Sequence, residues 1–315
     1  MIFAFLCFKE MIFVSRFNLF WRGGNGIIKT MRVRKFLKFV WNEFVYGGHI
    51  TALAALSVVL TGSIVLDLVM EWHFGVIVYL GVYLVYFFNR YKEYKTDYFD
   101  NIARFNHLNN YFSIIPFWGI SVTLFFIVFV FYYASLSGIV FAFALLFLGI
   151  LYSLILKRLT RLILAFKSIF VSLMWSLLII FFVFYHSLNL DLAVWLFFLF
   201  VFFRMFVHSS FFDIKDIESD KKQGLLTLPI KLEEFRLFYL LNFISLISLI
   251  PIVIGVYFEF FPFFSLFLLI TFFISFYYLK NYKKYKKNLG LFSQVAISGE
   301  KILWLFIIFI SKFIF

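Results

Sequence analysis

The feature that most constrains this chain is a succession of apolar segments, each long enough to cross a bilayer, repeated along nearly its whole length. A spanning helix needs roughly 20 predominantly apolar residues. Nine stretches qualify: 50–71, 74–92, 111–133, 135–155, 165–186, 190–210, 235–257, 260–280 and 295–315. Tight polar breaks separate several of them, such as Glu71 to His73 and His186 to Asp191. In lipid, backbone N–H and C=O groups must be satisfied inside the structure, which leaves helices or closed barrels. Continuous apolar runs of this length, without strand-like alternation, select helices. The expected fold is therefore all-α: a polytopic membrane protein built as a bundle of about nine transmembrane helices. Composition agrees, with 64% hydrophobic and only 14% charged residues, where a soluble domain carries about a quarter charged.

The formal net charge is +13. On a soluble domain that would point to nucleic acid. Here the placement of the basic residues explains it. They cluster before the first span, after the second, between the fourth and fifth, around the end of the sixth and after the eighth; Lys301 and Lys312 alone fall elsewhere, in the ninth. The loops after spans one, three, five and seven carry none. By the positive-inside rule the even-numbered spans end in the cytoplasm, the N-terminus starts there, and the final residues face outward. Membrane lipid, not nucleic acid, is the expected surrounding, and the cell membrane the expected location.

The chain divides into a cytoplasmic N-terminal segment, 1–44, and a transmembrane domain, 45–315. The apolar opening is interrupted by Lys9, Glu10 and Arg16 and has no small-residue cleavage site, so it is a poor signal peptide. From Met31 the sequence reads as a basic amphipathic helix leading into the first span. Met31 is expected to be the true start, with the residues before it dispensable. The single Cys7 rules out an intrachain disulfide framework and a cysteine-based metal site. His49, His73, His107, His186 and His208 form no pair at i, i+4 and read as isolated interfacial or core residues.

Chemistry concentrates in two acidic clusters at the ends of spans two and six. In the first, Asn89, Glu93 and Asp97 are spaced i, i+4, i+8, which puts all three on one helix face. In the second, Asp213, Asp216 and Asp220 are spaced i, i+3, i+7, again one face. Acidic residues number only 16 in the chain. Stacking them costs energy unless cations neutralise them. Mg²⁺ takes oxygen ligands and is typically held by one or two carboxylates plus substrate phosphates. Two such clusters facing one another would clamp a diphosphate through Mg²⁺.

These stretches resemble the aspartate-rich motifs of UbiA-type intramembrane prenyltransferases. The second matches at Asp213, Asp216, Asp220, Gly224, Thr227, Leu228 and Pro229. The first matches at Asn89 and Asp97, with Glu93 in place of the middle aspartate and Arg90 in place of the aspartate after the asparagine. Arg104 falls at the family's arginine, seven residues past Asp97, without the prolines that usually accompany it, and 151–158 is similar to the family's segment after the fourth helix, at Tyr152, Ser153, Lys157 and Arg158. The resemblance covers about Val45 to the C-terminus. It implies a bundle around a lipid-open cavity and transfer of a prenyl group from a polyprenyl diphosphate to a lipophilic acceptor. It further implies Mg²⁺-diphosphate held by Asn89, Glu93, Asp97, Asp213, Asp216 and Asp220. Arg104, Lys157 and Lys222 are the implied catalytic cations, and Tyr152 the implied substrate-binding residue. The 53 phenylalanines are material for a tunnel wall.

Two other readings compete. One is a catalytically degenerate relative that only binds prenyl lipid. The other is a transporter with membrane-embedded carboxylates, which would place ionisable residues at mid-membrane rather than at helix ends. Lys167 and Arg204 lie within or beside apolar spans. Cost marks them as functional candidates, but snorkelling to a charged interface accounts for each as well, and neither is placed in the expected site. The topology is testable with single cysteines at Asn109 and Asn189 in a Cys7→Ser background. An impermeant thiol reagent is expected to label Asn189→Cys on intact cells and Asn109→Cys only after permeabilisation; labelling of both from outside rules out nine spans.

Overall fold

The computed structural model describes residues 24–315, and only the backbone for 24–34, 96, 99, 100 and 286–288. The expectations for the opening segment up to residue 23 lie outside the described residues. No strand occurs among the described residues. The helix α1 (Gly24–Tyr46) turns by 56° across Gly47 and Gly48 into α2 (His49–Val65). Gly48 sits at φ 109°, a conformation open to glycine and costly for residues with a Cβ. There follow α3 (Trp72–Asp100), the short α4 (Ile102–Asn109), α5 (Ile115–Tyr133), α6 (Leu136–Leu154), α7 (Phe166–Tyr185) and α8 (Leu192–Phe212). A 3₁₀ turn and α9 (Ile217–Lys222) lead to α10 (Glu234–Ile247) and α11 (Ile250–Tyr257). The chain closes with a 3₁₀ stretch at Phe263–Leu269, α12 (Ile270–Asn281) and α13 (Leu289–Ile314).

Among the described residues seven helical segments are long and apolar enough to cross a membrane, and the bent pair of α1 and α2, taken as one span, makes an eighth. The 26-residue α13 is about 39 Å long at the standard rise, ample for a ninth crossing. It lies parallel to α2. Gln294 Nε2 donates to the Val45 carbonyl at one end (2.6 Å), and Lys312 Nζ stands 3.7 Å from Asp67 Oδ1 at the other. The protein is a multi-pass integral membrane protein.

Burial separates centre from rim. In α7 61% of the most apolar window is buried, against 22% in α5 and in α6. The outer helices turn Phe117, Val128, Phe131 and Val140 outward. In water such faces would aggregate, whereas lipid is their solvent. Several interior hydroxyls are satisfied within their own helices, as Thr61 donates to the Ser57 carbonyl and Ser176 to the Ser172 carbonyl.

The two ends of the bundle are built differently. At one end the connections are tight. The first span was expected to run to 71, but its helix stops at Val65. Asp67 takes a left-handed conformation, its N–H reaches the Ile64 carbonyl, and that of Leu68 reaches Ser63. That pattern closes a helix by satisfying its last carbonyls. Ser187 ends α7 in the same way, with the Leu188 N–H on the Val183 carbonyl. The seventh span breaks between α10 and α11 because Pro251 has no N–H for the helical ladder. At the other end the connections are long and themselves helical, and they carry most of the basic residues.

Close packing at the tight end yields a stability test. A Cβ on Gly255 would collide with the Phe261 ring, which is 3% exposed and packed against Phe197. Gly255→Ala is expected to lower unfolding stability by about 1–3 kcal/mol, seen as a reduced melting temperature in detergent.

Candidate active site

The long-connection end opens into a cavity of about 560 Å³. Its mouth carries Asn89, Glu93 and Asp97 from α3, Arg104 from α4, Lys157 from the 3₁₀ turn after α6, Asp216 from the 3₁₀ turn after α8 and Asp220 from α9. Both acidic motifs therefore border one space. Deeper, the walls are apolar and aromatic, including Val78, Phe126, Phe170, Trp175, Leu178 and Phe181.

The helix α3 runs on past 92 to Asp100, so Asn89, Glu93 and Asp97 share one continuous helix. Asn101 then breaks it. Its side chain accepts from the Arg104 N–H at 3.2 Å and starts α4 in a new direction. This asparagine cap turns the chain where the family's prolines are missing. Arg104 folds back and grips Asp97 with two hydrogen bonds, that from Nε being 2.6 Å. Burial pulls the Arg104 guanidinium down, and its contacts with Asp97 and Glu93 more than restore it, so it stays charged. Glu93 accepts from Asn89 Nδ2 (3.2 Å) and pairs with Lys157 Nζ (3.0 Å).

In the second motif Asp213 is fully buried one turn deeper and does not line the cavity. Lys167 Nζ holds its Oδ1 at 2.6 Å and Ser168 Oγ lies 3.3 Å from its Oδ2. Asp216 pairs with Lys215 Nζ at 2.7 Å. Asp220 is 3% exposed, and its Oδ2 has no hydrogen-bond partner. Beyond Gly224, at φ 69°, the motif becomes a scaffold. The Leu226 N–H donates to the Thr160 carbonyl (2.8 Å) and the Ala165 N–H to the Leu226 carbonyl (2.9 Å). These bonds tie the loop between α6 and α7 to the second motif and so position Lys157 and Lys167. Tyr152 lines the cavity, stacked on Phe170 with centroids 4.6 Å apart. Lys222 is exposed on α9, outside the cavity lining.

Among the described residues no three His, Cys, Asp or Glu side chains form a ready metal cage. The donor set nevertheless suits a hard ion: carboxylate oxygens, one of them buried without a partner, on both sides of a space large enough for phosphates. That matches the way Mg²⁺ is held by one or two carboxylates with substrate oxygens completing the shell.

Two groups set aside on sequence grounds are placed differently here. Lys167 does not snorkel away; it lines the cavity on Asp213. Arg204 is fully buried, paired with Glu300 and bonded to Ser245 Oγ (2.6 Å) and the Thr271 carbonyl (3.1 Å). His208 Nε2 lies 3.0 Å from the other Glu300 oxygen. This cluster clasps α8, α10, α12 and α13 together. The signal that would have found it is an acid in the last apolar span, Glu300, which needs a cation inside the bundle.

A helical bundle with a charged mouth and an apolar pocket beneath it is an arrangement for handling a molecule with a polar head and a lipid tail. The chain belongs to the UbiA prenyltransferase family, whose sequence pattern matches residues 49–299. Prenyl transfer is the activity class of that family, and its members generally use a divalent metal. Two solved structures share the fold. One is of digeranylgeranylglyceryl phosphate synthase in membranes, 14% identical, covering 88% of this chain and 97% of its own, with a TM-score of 0.50. The other is the apo structure of a UbiA homolog from Aeropyrum pernix K1, 12% identical, covering 80% of this chain and 97% of its own, with a TM-score of 0.57. No curated protein matches the chain.

The pairing of Lys167 with Asp213 makes a stability prediction. Lys167→Met leaves a buried carboxylate without its cation and is expected to cost about 3–5 kcal/mol. Adding Asp213→Asn is expected to restore much of that loss, read as recovery of the melting temperature in the double variant.

Proposed function

We propose that this chain transfers a prenyl group from a polyprenyl diphosphate to a lipophilic acceptor, with Mg²⁺ as cofactor and the mouth facing the cytoplasm of the cell membrane. The observation that carries this reading is the meeting of both acidic motifs at one mouth, above a cavity whose depth is apolar. Family membership and the charge asymmetry of the loops support it.

The polyprenyl tail lies along the aromatic wall, which excludes water from the reacting carbon. The diphosphate sits at the mouth. Asp216 and Asp220 from one side, and Asn89, Glu93 and Asp97 from the other, are the groups that would hold Mg²⁺. When bound, the ion offsets the charge that builds on the departing diphosphate. In the transfer the allylic carbon–oxygen bond breaks and diphosphate leaves with the electron pair. The acceptor bonds to that carbon and releases a proton. Arg104 and Lys157 are the cations that turn toward the leaving oxygens, drawn from Asp97 and Glu93. Asp213 acts at one remove, by fixing Lys167 beside the second motif.

Turnover is expected to stop in excess chelator. Asp216→Asn and Asp220→Asn should each lower it about 100-fold or more while the protein stays folded. Glu93 discriminates further: Glu93→Gln should abolish turnover, and Glu93→Asp should keep a measurable fraction. Prenyl diphosphate binding without any transfer across a panel of acceptors would favour a lipid-binding role instead. Full wild-type turnover in chelator would refute the proposal.

A further inference from the structure

Among the described residues the cations lining the cavity, Lys301 on the Ile297 carbonyl at 3.0 Å included, have partners, with one exception. Arg104 is matched to Asp97, Lys157 to Glu93, Lys167 to Asp213 and Lys215 to Asp216, while the exposed Lys92 bonds the Ser153 carbonyl. Arg90 lines the same cavity, is 5% exposed, and among the described residues forms no ion pair. Its Nη1 is buried without a hydrogen-bond partner. The charge of Glu43 reaches Arg90, but that carboxylate is taken by His107 (2.8 Å) and Tyr111 (2.6 Å). A guanidinium cannot shed its proton inside a protein. Its position is also built for. A Cβ on Gly48 would stand 2.5 Å from Nη1, so the left-handed glycine at the bend between α1 and α2 leaves the notch in which this group rests.

A permanent charge, removed from water and facing a cavity without a counter-ion, is stable only if what fills the cavity brings one. The guanidinium fork matches the paired oxygens of phosphate and carboxylate. We propose that Arg90 is an oxyanion receptor of this cavity, binding a phosphate or carboxylate group of a bound substrate directly. This rests on the cavity being the prenyl diphosphate site. The oxyanion comes either from the diphosphate of the donor or from an acidic group on the acceptor. In the first case Arg90 adds a fixed positive charge beside the ion-binding carboxylates. In the second it selects acceptors that carry an anionic group.

Calorimetry on the full chain in detergent tests this with two probes, inorganic pyrophosphate and benzoate, each with Mg²⁺ and with chelator. Arg90→Met is expected to weaken one probe about tenfold or more, and Arg90→Lys to weaken it less. Loss of pyrophosphate binding assigns the donor, and loss of benzoate binding the acceptor. The melting temperature of Arg90→Met should equal or exceed that of the wild type, because the change removes an unmatched buried charge. A fall would mark Arg90 as a structural ion-pair member and overturn the proposal. So would unchanged affinity of Arg90→Met for both probes, or a wild type that binds neither. Asp220→Asn separates the two layers of the argument. It should remove the Mg²⁺-dependent part of pyrophosphate binding and leave the Arg90-dependent part. Pyrophosphate binding insensitive to Mg²⁺ and to Asp220→Asn, yet lost in Arg90→Met, would sink the Mg²⁺ reading and keep Arg90.

Discussion

The architecture depends on matching buried charge with buried charge. Inside a membrane bundle there is little water to solvate an ion, so an unmatched carboxylate or amine is costly enough to reshape its surroundings. The Lys167–Asp213 pair joins the start of α7 to the end of α8. The Arg104–Asp97 pair folds α4 back on α3. The Arg204–Glu300 pair fastens α8 to α13 inside the bundle. Each joins elements that the hydrophobic effect alone would not orient, because lipid tails and leucines are equally apolar and give no preference for one helix face over another.

The same pairs shape how the mouth works. Three of its acids are already paired with the chain's own cations, Asp97 with Arg104, Glu93 with Lys157 and Asp216 with Lys215, while Asp220 keeps an oxygen without a hydrogen-bond partner. Under the proposed function, a substrate that brings an anion together with a divalent cation would enter by exchange of partners, with the carboxylates positioned to hold the metal and the cations to meet the phosphate.

The spans were legible in the sequence because length and continuity of apolar residues are local properties. The ends were less so. The helix α2 stops at Val65 through a left-handed Asp67, and an aspartate does not announce that conformation as glycine does. The positions of Asn89, Glu93 and Asp97 followed from helix periodicity, and α3 runs unbroken through all three. Asp213 departed from its expected face because a 3₁₀ turn separates α8 from α9, leaving it on Lys167 while Asp216 and Asp220 reach the cavity. Arg204 and Glu300 lie 96 residues apart in the chain, and nothing local to either names the other. The asparagine cap at Asn101 was visible as a residue. Its role was not, because it depends on where Arg104 has to return.

The unequal ends of the bundle make it a set of levers. Tight closures at Asp67 and Ser187 leave little play between the helices they join, so relative motion is a pivot about that end. A spanning helix is about 30 Å long, and a tilt of about 5° at the pivot moves its far tip by about 2.6 Å. That displacement is close to the length of one ion pair. A tilt of that size would be magnified at the mouth into a stroke comparable to the separation of Lys167 from Asp213, 2.6 Å.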